Sequence, residues 1–242
     1  MCSSNINHHY NVSRGDYRTL RSLLRVASVM ICLASITPQP QLWSQRPAAG
    51  PAKSDFASPG DSETSLFGIP ARGNRIVYVI DVSGSTAGAP LQAARRELLS
   101  SIDTLTRLHQ FQIVFYNHNV RVLNVQPSGA RLYWADDQHK KHARRFVNTI
   151  AAAGGTQHLE ALRTALRMEP DTIFLYTDAA EPQMTDEDLA KVRELNGSTT
   201  IHTIEFGHGD VESAHLENFL MRLASENQGE YRYVNVATWA RQ

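Results

Sequence analysis

Beyond residue 71 the chain alternates between short apolar runs and longer segments in which apolar residues recur every three or four positions. The short runs are rich in β-branched and aromatic residues, which is typical of strands. They lie at 75–80, 111–116, 120–125, 172–178, 200–206 and 231–236. Because several of these runs are apolar almost without interruption, they indicate strands that are covered on both faces of a sheet.

The longer segments have the periodicity of amphipathic helices. Pro90 suits the first turn of a helix whose inward face is Leu91, Ala94, Leu98, Ile102 and Leu105. Inward faces are predicted for four more helices: Ala143, Phe146, Val147 and Ile150; Leu159, Leu162 and Leu166; Leu189, Val192 and Leu195; and Leu216, Phe219, Leu220 and Leu223. We expect Gly154 and Gly155 to end the second helix, Thr156 to begin the third, and Thr185 to cap the fourth.

This order of elements predicts an α/β fold. We expect a doubly wound, Rossmann-like and mainly parallel sheet of about six strands flanked by helices. The runs 111–116 and 120–125 are separated by only three residues, Asn117 to Asn119, and predict one antiparallel edge hairpin. In sheets of this kind, ligands bind beyond the carboxyl ends of the strands, where the strand order reverses.

The N-terminal region, residues 1–36, has a different pattern. Residues 14–25 hold four arginines and one acid, and an apolar run of 11 residues follows at 26–36. This pattern is typical of a secretory signal, because a spanning helix needs about 20 residues. A cleaved signal, a membrane tether through residues 23–36 and a buried helix all remain open. We expect an exported protein, secreted or membrane-anchored in the cell envelope.

Residues 37–70 contain six prolines among Ser, Ala, Gln and Gly, and predict a semi-extended linker. Each proline removes a backbone donor and restricts the residue before it. The sequence SLFG at 65–68 is the one apolar interruption, and it is expected to contact the edge of the domain. The globular domain is expected over residues 71–242.

Composition narrows the choice of partners. The formal net charge is zero, from 24 basic and 24 acidic residues, so nothing favours a nucleic acid as partner. The two cysteines, Cys2 and Cys32, both lie in the N-terminal region. The predicted domain therefore has neither a disulfide framework nor a thiolate metal site.

Candidate chemistry appears where the first strand of the domain ends. The sequence VYVIDVSGST at 77–86 passes from a buried strand directly to Asp81, Ser83 and Ser85. A carboxylate and hydroxyls at alternate positions of a loop can point the same way, and Mg²⁺ and Mn²⁺ prefer oxygen ligands. Thr156 follows two glycines, and Asp178 stands at the end of another predicted strand.

These five side chains, Asp81, Ser83, Ser85, Thr156 and Asp178, offer two carboxylates and three hydroxyls. If all five bound one octahedral ion, a single position would stay open for an acidic side chain of another protein. The neutral hydroxyls would leave the charge of the ion largely unquenched, which favours an external carboxylate.

The motifs DVSGS at 81–85, GGT at 154–156 and YTDA at 176–179 resemble a known family. In this order and at these intervals they are similar to the von Willebrand factor type A domain of bacterial type, with its metal-ion-dependent adhesion site. The resemblance covers roughly residues 72–238 and maps all five positions of the family motif. It implies a protein-binding domain that uses Mg²⁺ or Mn²⁺ to engage Asp or Glu of a partner, without catalysis. Ala179 departs from the family pattern, which commonly has Gly there.

Two other functions fit the same residues less well. The domain could be an assembly scaffold in which the metal contributes only stability. It could also be a Mg²⁺-dependent phosphatase-like hydrolase, but that chemistry needs a second acid two residues after Asp81 to protonate the leaving group. Ser83 occupies that position. The sequence therefore favours a binding module over an enzyme.

Overall fold

The computed structural model describes residues 64–126, 129–180, 182–207, 209 and 218–239. The predicted signal or anchor region and residues 37–63 of the predicted linker lie outside this part of the chain. No helix within the described ranges combines the length and the apolar character needed to cross a bilayer.

The described strands form a small hairpin and one large sheet. In chain order they are β1 (Ser65–Leu66), β2 (Ile69–Pro70), β3 (Arg75–Asp81), β4 (Gln110–Tyr116), β5 (Val120–Val122), β6 (Tyr133–Trp134), β7 (Thr172–Thr177), β8 (Thr200–Gly207) and β9 (Tyr231–Asn235). The main path of the large sheet is β5-β4-β3-β7-β8-β9, and β6 pairs with β4. Strands β4, β3, β7, β8 and β9 are mutually parallel, so the predicted α/β fold is confirmed.

Helices cover both faces of the sheet. They are α1 (Ala89–Thr104), α2 (Asp137–Asn148), α3 (His158–Leu166), α4 (Asp186–Leu195), α5 (Phe219–Glu226) and α6 (Val236–Trp239). Side chains of α1 and α2 share one core with Tyr78 of β3, whereas α3, α4 and α5 share the other with Val77 and Val79. Successive strand residues point to opposite faces, so β3, β4, β7 and β8 each contribute to both cores.

The antiparallel edge hairpin is present. Strand β5 pairs antiparallel with the carboxyl-terminal half of β4, with Tyr116 opposite Val120. It ends at Val122, three residues before the end of the predicted strand. Strand β6 was not predicted: Tyr133 pairs antiparallel with Phe111 at the other end of β4. A strand of two residues is too short to produce a period-2 pattern.

Residues that were assigned to the end of the linker belong to a packed hairpin. Leu66 of β1 and Ile69 of β2 are fully buried, and so is Phe67 between them. The Phe67 ring lies 4.8 Å from that of Phe206 and 6.0 Å from that of Tyr176, measured between centroids. The SLFG sequence therefore contributes to the main core, and the described packing begins seven residues before position 71.

The helix boundaries correct three predictions. Helix α2 ends at Asn148, well before Gly154 and Gly155, because Thr149 already closes its last turn through hydrogen bonds to α2 carbonyls. Helix α3 begins at His158, so Thr156 lies in the preceding loop. Leu195, predicted to face the core, is 47% exposed because it is the last residue of α4.

The start of α4 agrees with its prediction. The Thr185 side chain accepts a hydrogen bond from the Asp188 amide, and the Asp188 carboxylate accepts one from the Thr185 amide. This capping box satisfies two backbone donors that a helix start otherwise leaves unpaired. Leu216, predicted on the inward face of the last helix, lies outside the described residues; α5 begins at Phe219 and is capped by Asn218.

Candidate functional site

The predicted site lies at the carboxyl ends of β3 and β7, which are parallel neighbours. Ile80 pairs with Tyr176, so Asp81 stands level with Thr177, and Asp178 follows one residue later. From β3 the chain goes first to β4 on one side and later to β7 on the other. The strand order therefore reverses between β3 and β7, which is where α/β sheets bind ligands.

Asp81 is fully buried at the end of β3. Thr177 Oγ1 donates a hydrogen bond of 2.6 Å to Asp81 Oδ2, and the Ser83 amide donates one of 2.8 Å to Oδ1. Burial raises the pKa of the Asp81 carboxyl, the hydrogen bonds from Thr177 and Ser83 lower it, and the nearby charge of Asp178 raises it. The carboxylate is thus fixed in orientation but has a neighbour of like charge.

A tight turn after β3 brings Ser83 and Ser85 together. Their Oγ atoms are 3.1 Å apart, with Ser83 buried and Ser85 exposed. Residues Gly84–Thr86 form a 3₁₀ turn, which Thr86 Oγ1 reinforces by donating to the Ser83 carbonyl at 2.9 Å. The two serine hydroxyls consequently lie next to each other at the edge of the sheet, as the alternate spacing predicted.

The loop before α3 is bound to this turn through its backbone. The Gly84 amide donates to the Gly154 carbonyl at 2.9 Å, and the Ala153 amide donates to the Val82 carbonyl at 2.9 Å. These two hydrogen bonds bring Thr156, which is buried, to the same edge as the serines. Thr156 is placed by contacts between distant loop residues rather than by a helix of its own.

Two features of position 154 require a glycine. Its φ of +78° lies in the left-handed region, and a Cβ atom there would lie 2.2 Å from Nδ1 of His118. The imidazole of His118 therefore rests on the backbone of Gly154. Asn117 strengthens the contact by donating from Nδ2 to the Ala153 carbonyl at 2.6 Å.

Asp178, the fifth predicted metal ligand, directly follows the last residue of β7. It is half-buried, and its Oδ1 accepts a hydrogen bond of 3.1 Å from the Ala180 amide. Its negative charge raises the pKa of Asp81 and opposes the lowering of the pKa of His158 by burial. Ala179 has a φ of +54°, so the position where the family pattern commonly has glycine needs a left-handed backbone here too.

A buried polar pair lies close to these carboxylates. The hydroxyl of Tyr116 and Nδ1 of His158 are 2.9 Å apart. Burial lowers the pKa of His158 to about 4, against the opposing effect of the Asp178 charge, so the imidazole is neutral near pH 7. Burial and the charges of Asp81 and Asp178 raise the pKa of Tyr116 well above its usual value.

Four residues near the site were not predicted: Thr177, Tyr116, His118 and His158. The signal for Thr177 was available, because parallel pairing of two buried strands predicts that it stands level with Asp81. The side chains of Tyr116 and His158 belong to elements whose contact cannot be read from periodicity.

The donor set decides which kind of metal the site suits. Within the described residues, no three side chains of His, Cys, Asp or Glu come together as a metal centre. A cation at this edge would rest on two carboxylates and neighbouring hydroxyls. Such a set suits a hard cation such as Mg²⁺ or Mn²⁺ better than a soft one.

Comparison with known proteins agrees with the fold. The family model for the von Willebrand factor type A domain matches residues 74–233. The inter-alpha-trypsin inhibitor heavy chain H2 of Mesocricetus auratus is 29% identical over 170 residues, which are 64% of this chain and 17% of the relative. The chain thus spans about a sixth of the length of that relative.

Solved structures have the same architecture. A von Willebrand factor type A protein from Catenulispora acidiphila is 26% identical with a TM-score of 0.57, covering 72% of this chain and 42% of that one. Proximal thread matrix protein 1 of the mussel byssus, whose metal-ion-dependent adhesion motif holds zinc, has a TM-score of 0.50 at 14% identity, covering 71% of this chain and 46% of that one. Domains of this type are typically non-enzymatic protein-interaction modules. On the match over residues 74–233, this chain belongs to the von Willebrand factor type A domain family.

Proposed function

We propose that the chain is a divalent-metal-dependent protein-binding module, which engages an Asp or Glu side chain of a partner protein through Mg²⁺ or Mn²⁺. The observation that carries this proposal is the convergence of three separate segments at the switch point between β3 and β7. Together they bring two carboxylates and three hydroxyls to one edge of the sheet. Membership of the family supports the coarser statement that the domain binds proteins.

The proposed metal ligands are Asp81, Ser83, Ser85, Thr156 and Asp178, directly or through a water in the case of Asp178. The chemistry of the set fits a dication, because it joins two carboxylates to neutral hydroxyls; burial, and to a smaller extent the charge of Asp178, raises the pKa of Asp81. A cation held there would supply a positive charge that offsets the two carboxylates and would act as an acceptor for an external carboxylate oxygen.

The other residues of the site hold these groups in position. Thr177 and the Ser83 amide orient the Asp81 carboxylate from two sides. The hydrogen bond from Gly84 to Gly154 fixes the distance between the serine turn and the loop of Thr156. Because these contacts are made within the chain itself, they hold the groups in one arrangement, and such pre-organisation favours affinity.

The proposal also includes export of the protein, with residues 23–36 as a cleaved signal or as a membrane tether. Its support is the basic segment followed by a short apolar run. Fractionation of cells that produce the full chain tests it: we expect the protein in the envelope or the medium, and recovery in the cytosol would contradict it.

Isothermal titration calorimetry with Mg²⁺ tests the metal site on the full chain. Asp81→Asn retains the volume and one of the two acceptor oxygens but removes the charge, and we expect it to weaken Mg²⁺ binding at least tenfold. Asp137→Asn is the matched control, because that carboxylate is 97% exposed on α2 and should leave Mg²⁺ affinity unchanged. Equal affinities in all three proteins would refute the metal site.

A second candidate function is a scaffold that uses the cation only for stability, which the burial of Asp81 favours. The two functions differ in what chelation does to partner capture. A pull-down from the native extract with and without EDTA separates them: the binding module loses its partner in EDTA, whereas a scaffold retains it while its melting temperature falls.

A further inference from the structure

We propose that His118 contacts the acidic side chain of the partner directly, as a hydrogen-bond donor beside the metal position. This inference rests on the proposed function, and it assigns a specificity role to a residue outside the metal-ligand set. It follows from the position of His118, the shape of the surrounding surface and the orientation of its ring.

His118 is held at the edge of the site by the hairpin between β4 and β5. Tyr116, the last residue of β4, pairs with Asp81, so the chain leaves β4 directly beside the proposed site. Asn117 then anchors the hairpin to Ala153 through its side chain, and the Asn119 amide donates to Asn117 Oδ1 at 2.8 Å. The hairpin tip is therefore fixed against the loop that carries Thr156.

Three glycines form part of the surface next to His118. Gly84, Gly154 and Gly155 are all exposed and have no side chain, so these segments do not cover the edge on which Ser85 is exposed. His118 is also exposed, and its ring lies against Gly154. A partner carboxylate that approaches the serine turn across the glycines meets the His118 side chain.

The orientation of the ring suits a donor role. The atoms that face Gly154 are Nδ1 and Cε1, at 2.2 and 2.6 Å from the position of a Cβ atom on that glycine. Nδ1 is therefore the ring atom nearest to this position, and Nε2 is not among the three nearest. In the tautomer that carries its proton on Nε2, an N–H is available to an approaching ligand.

A carboxylate has two oxygens, and the proposed site offers a partner for each of them: the cation and His118. One oxygen would be available to the cation, and the other would accept a hydrogen bond from His118. Hydrogen bonds to charged groups are stronger than neutral ones, although exposure to water reduces their contribution. We therefore expect His118 to contribute roughly a 3- to 10-fold increase in affinity for an acidic ligand.

The test is an NMR titration of the full chain with N-acetyl-aspartate amide in the presence of Mg²⁺. His118→Phe keeps an aromatic ring on Gly154 but removes the donor, and His142→Phe on α2 is the matched control. We expect His118→Phe to weaken probe binding about 3- to 10-fold. Mg²⁺ affinity by calorimetry should stay unchanged in both variants. In the wild type, the imidazole signals of His118 should shift with the probe in Mg²⁺ and not in EDTA.

The outcomes separate this inference from the proposed function. If the wild type binds Mg²⁺ and the probe, and His118→Phe binds the probe equally well, the role of His118 is refuted while the metal site stands. A loss of Mg²⁺ affinity in His118→Phe would also refute it, because His118 would then serve to position the loop. If the wild type fails to bind Mg²⁺, or binds it without binding the probe, both the inference and the adhesive function are refuted.

Discussion

Replacing Gly154 with Ala should weaken the protein in two ways that control variants can separate. The left-handed backbone at φ +78° costs an L-residue about 1–2 kcal/mol. Loss of the conformational freedom of glycine in the unfolded chain returns roughly 0.4–1 kcal/mol. The expected net loss in the free energy of unfolding is therefore centred on about 0.8 kcal/mol and at most about 1.6 kcal/mol.

Gly154→Ala should also affect the site, because the new Cβ occupies the place of the His118 ring. If the loop relaxes to relieve this contact, it loses the hydrogen bond between the Gly84 amide and the Gly154 carbonyl, whose length is 2.9 Å. A net hydrogen bond is worth about 1 kcal/mol, which corresponds to an approximately fivefold loss of Mg²⁺ affinity.

Two other glycines provide matched controls. Gly129 has a φ of +82° with open space around the Cβ position, so Gly129→Ala should lower stability to a similar extent without affecting Mg²⁺ binding. Gly155 has neither a positive φ nor a close neighbour, so Gly155→Ala should be neutral or slightly stabilising. Urea denaturation measures the change in stability, and calorimetry measures the change in Mg²⁺ affinity. Wild-type stability in Gly154→Ala, or Mg²⁺ affinity equal to that of Gly129→Ala, would refute the reasoning.

Three further predictions concern neighbouring parts of the fold. Ala179→Gly should raise the free energy of unfolding by about 0.5–1 kcal/mol, since the φ of +54° favours glycine, and a decrease on urea denaturation would contradict this. Phe67→Ala should cost roughly 3–5 kcal/mol because the ring is fully buried, whereas a loss below about 1 kcal/mol would show that the hairpin is dispensable. The pKa of His158 is lowered to about 4, so the unfolded chain binds the extra proton and stability should fall as pH drops from about 6.5 to 4. His158→Gln should show a smaller fall, and equal pH profiles would contradict the assignment.

The strands of the sheet could be predicted because most of them are uninterrupted apolar runs. The run from Arg75 to Asp81 is buried on both faces, and its apolar residues continue without interruption. The same pattern also placed Asp81 and Asp178 at strand ends, so the location of the candidate site followed from topology alone. The spacing of Ser83 and Ser85 predicted their proximity because a short turn brings alternate side chains to one side.

The parts that were missed depend on contacts between distant segments. The prolines on both sides of Leu66 and Phe67 favoured a linker, but burial of these two side chains outweighed the local tendency. The position of Thr156 relies on hydrogen bonds from Gly84 and Ala153, which no local pattern encodes. The run at 120–125 was predicted too long, because pairing with β4 stops at Val122 although apolar residues continue.

The N-terminal hairpin determines where a mechanical load would enter the domain. The polypeptide ahead of Ser65 is continuous with β1, so tension on it acts first on the buried ring of Phe67 and on the hydrogen bond from Arg232 to the Phe67 carbonyl. Phe67 packs on Tyr176, whose hydroxyl donates to the Pro90 carbonyl at the start of α1. Because Tyr176 precedes Asp178 by two residues, a pull strong enough to extract the hairpin would remove support from the strand that carries one of the two acids of the site.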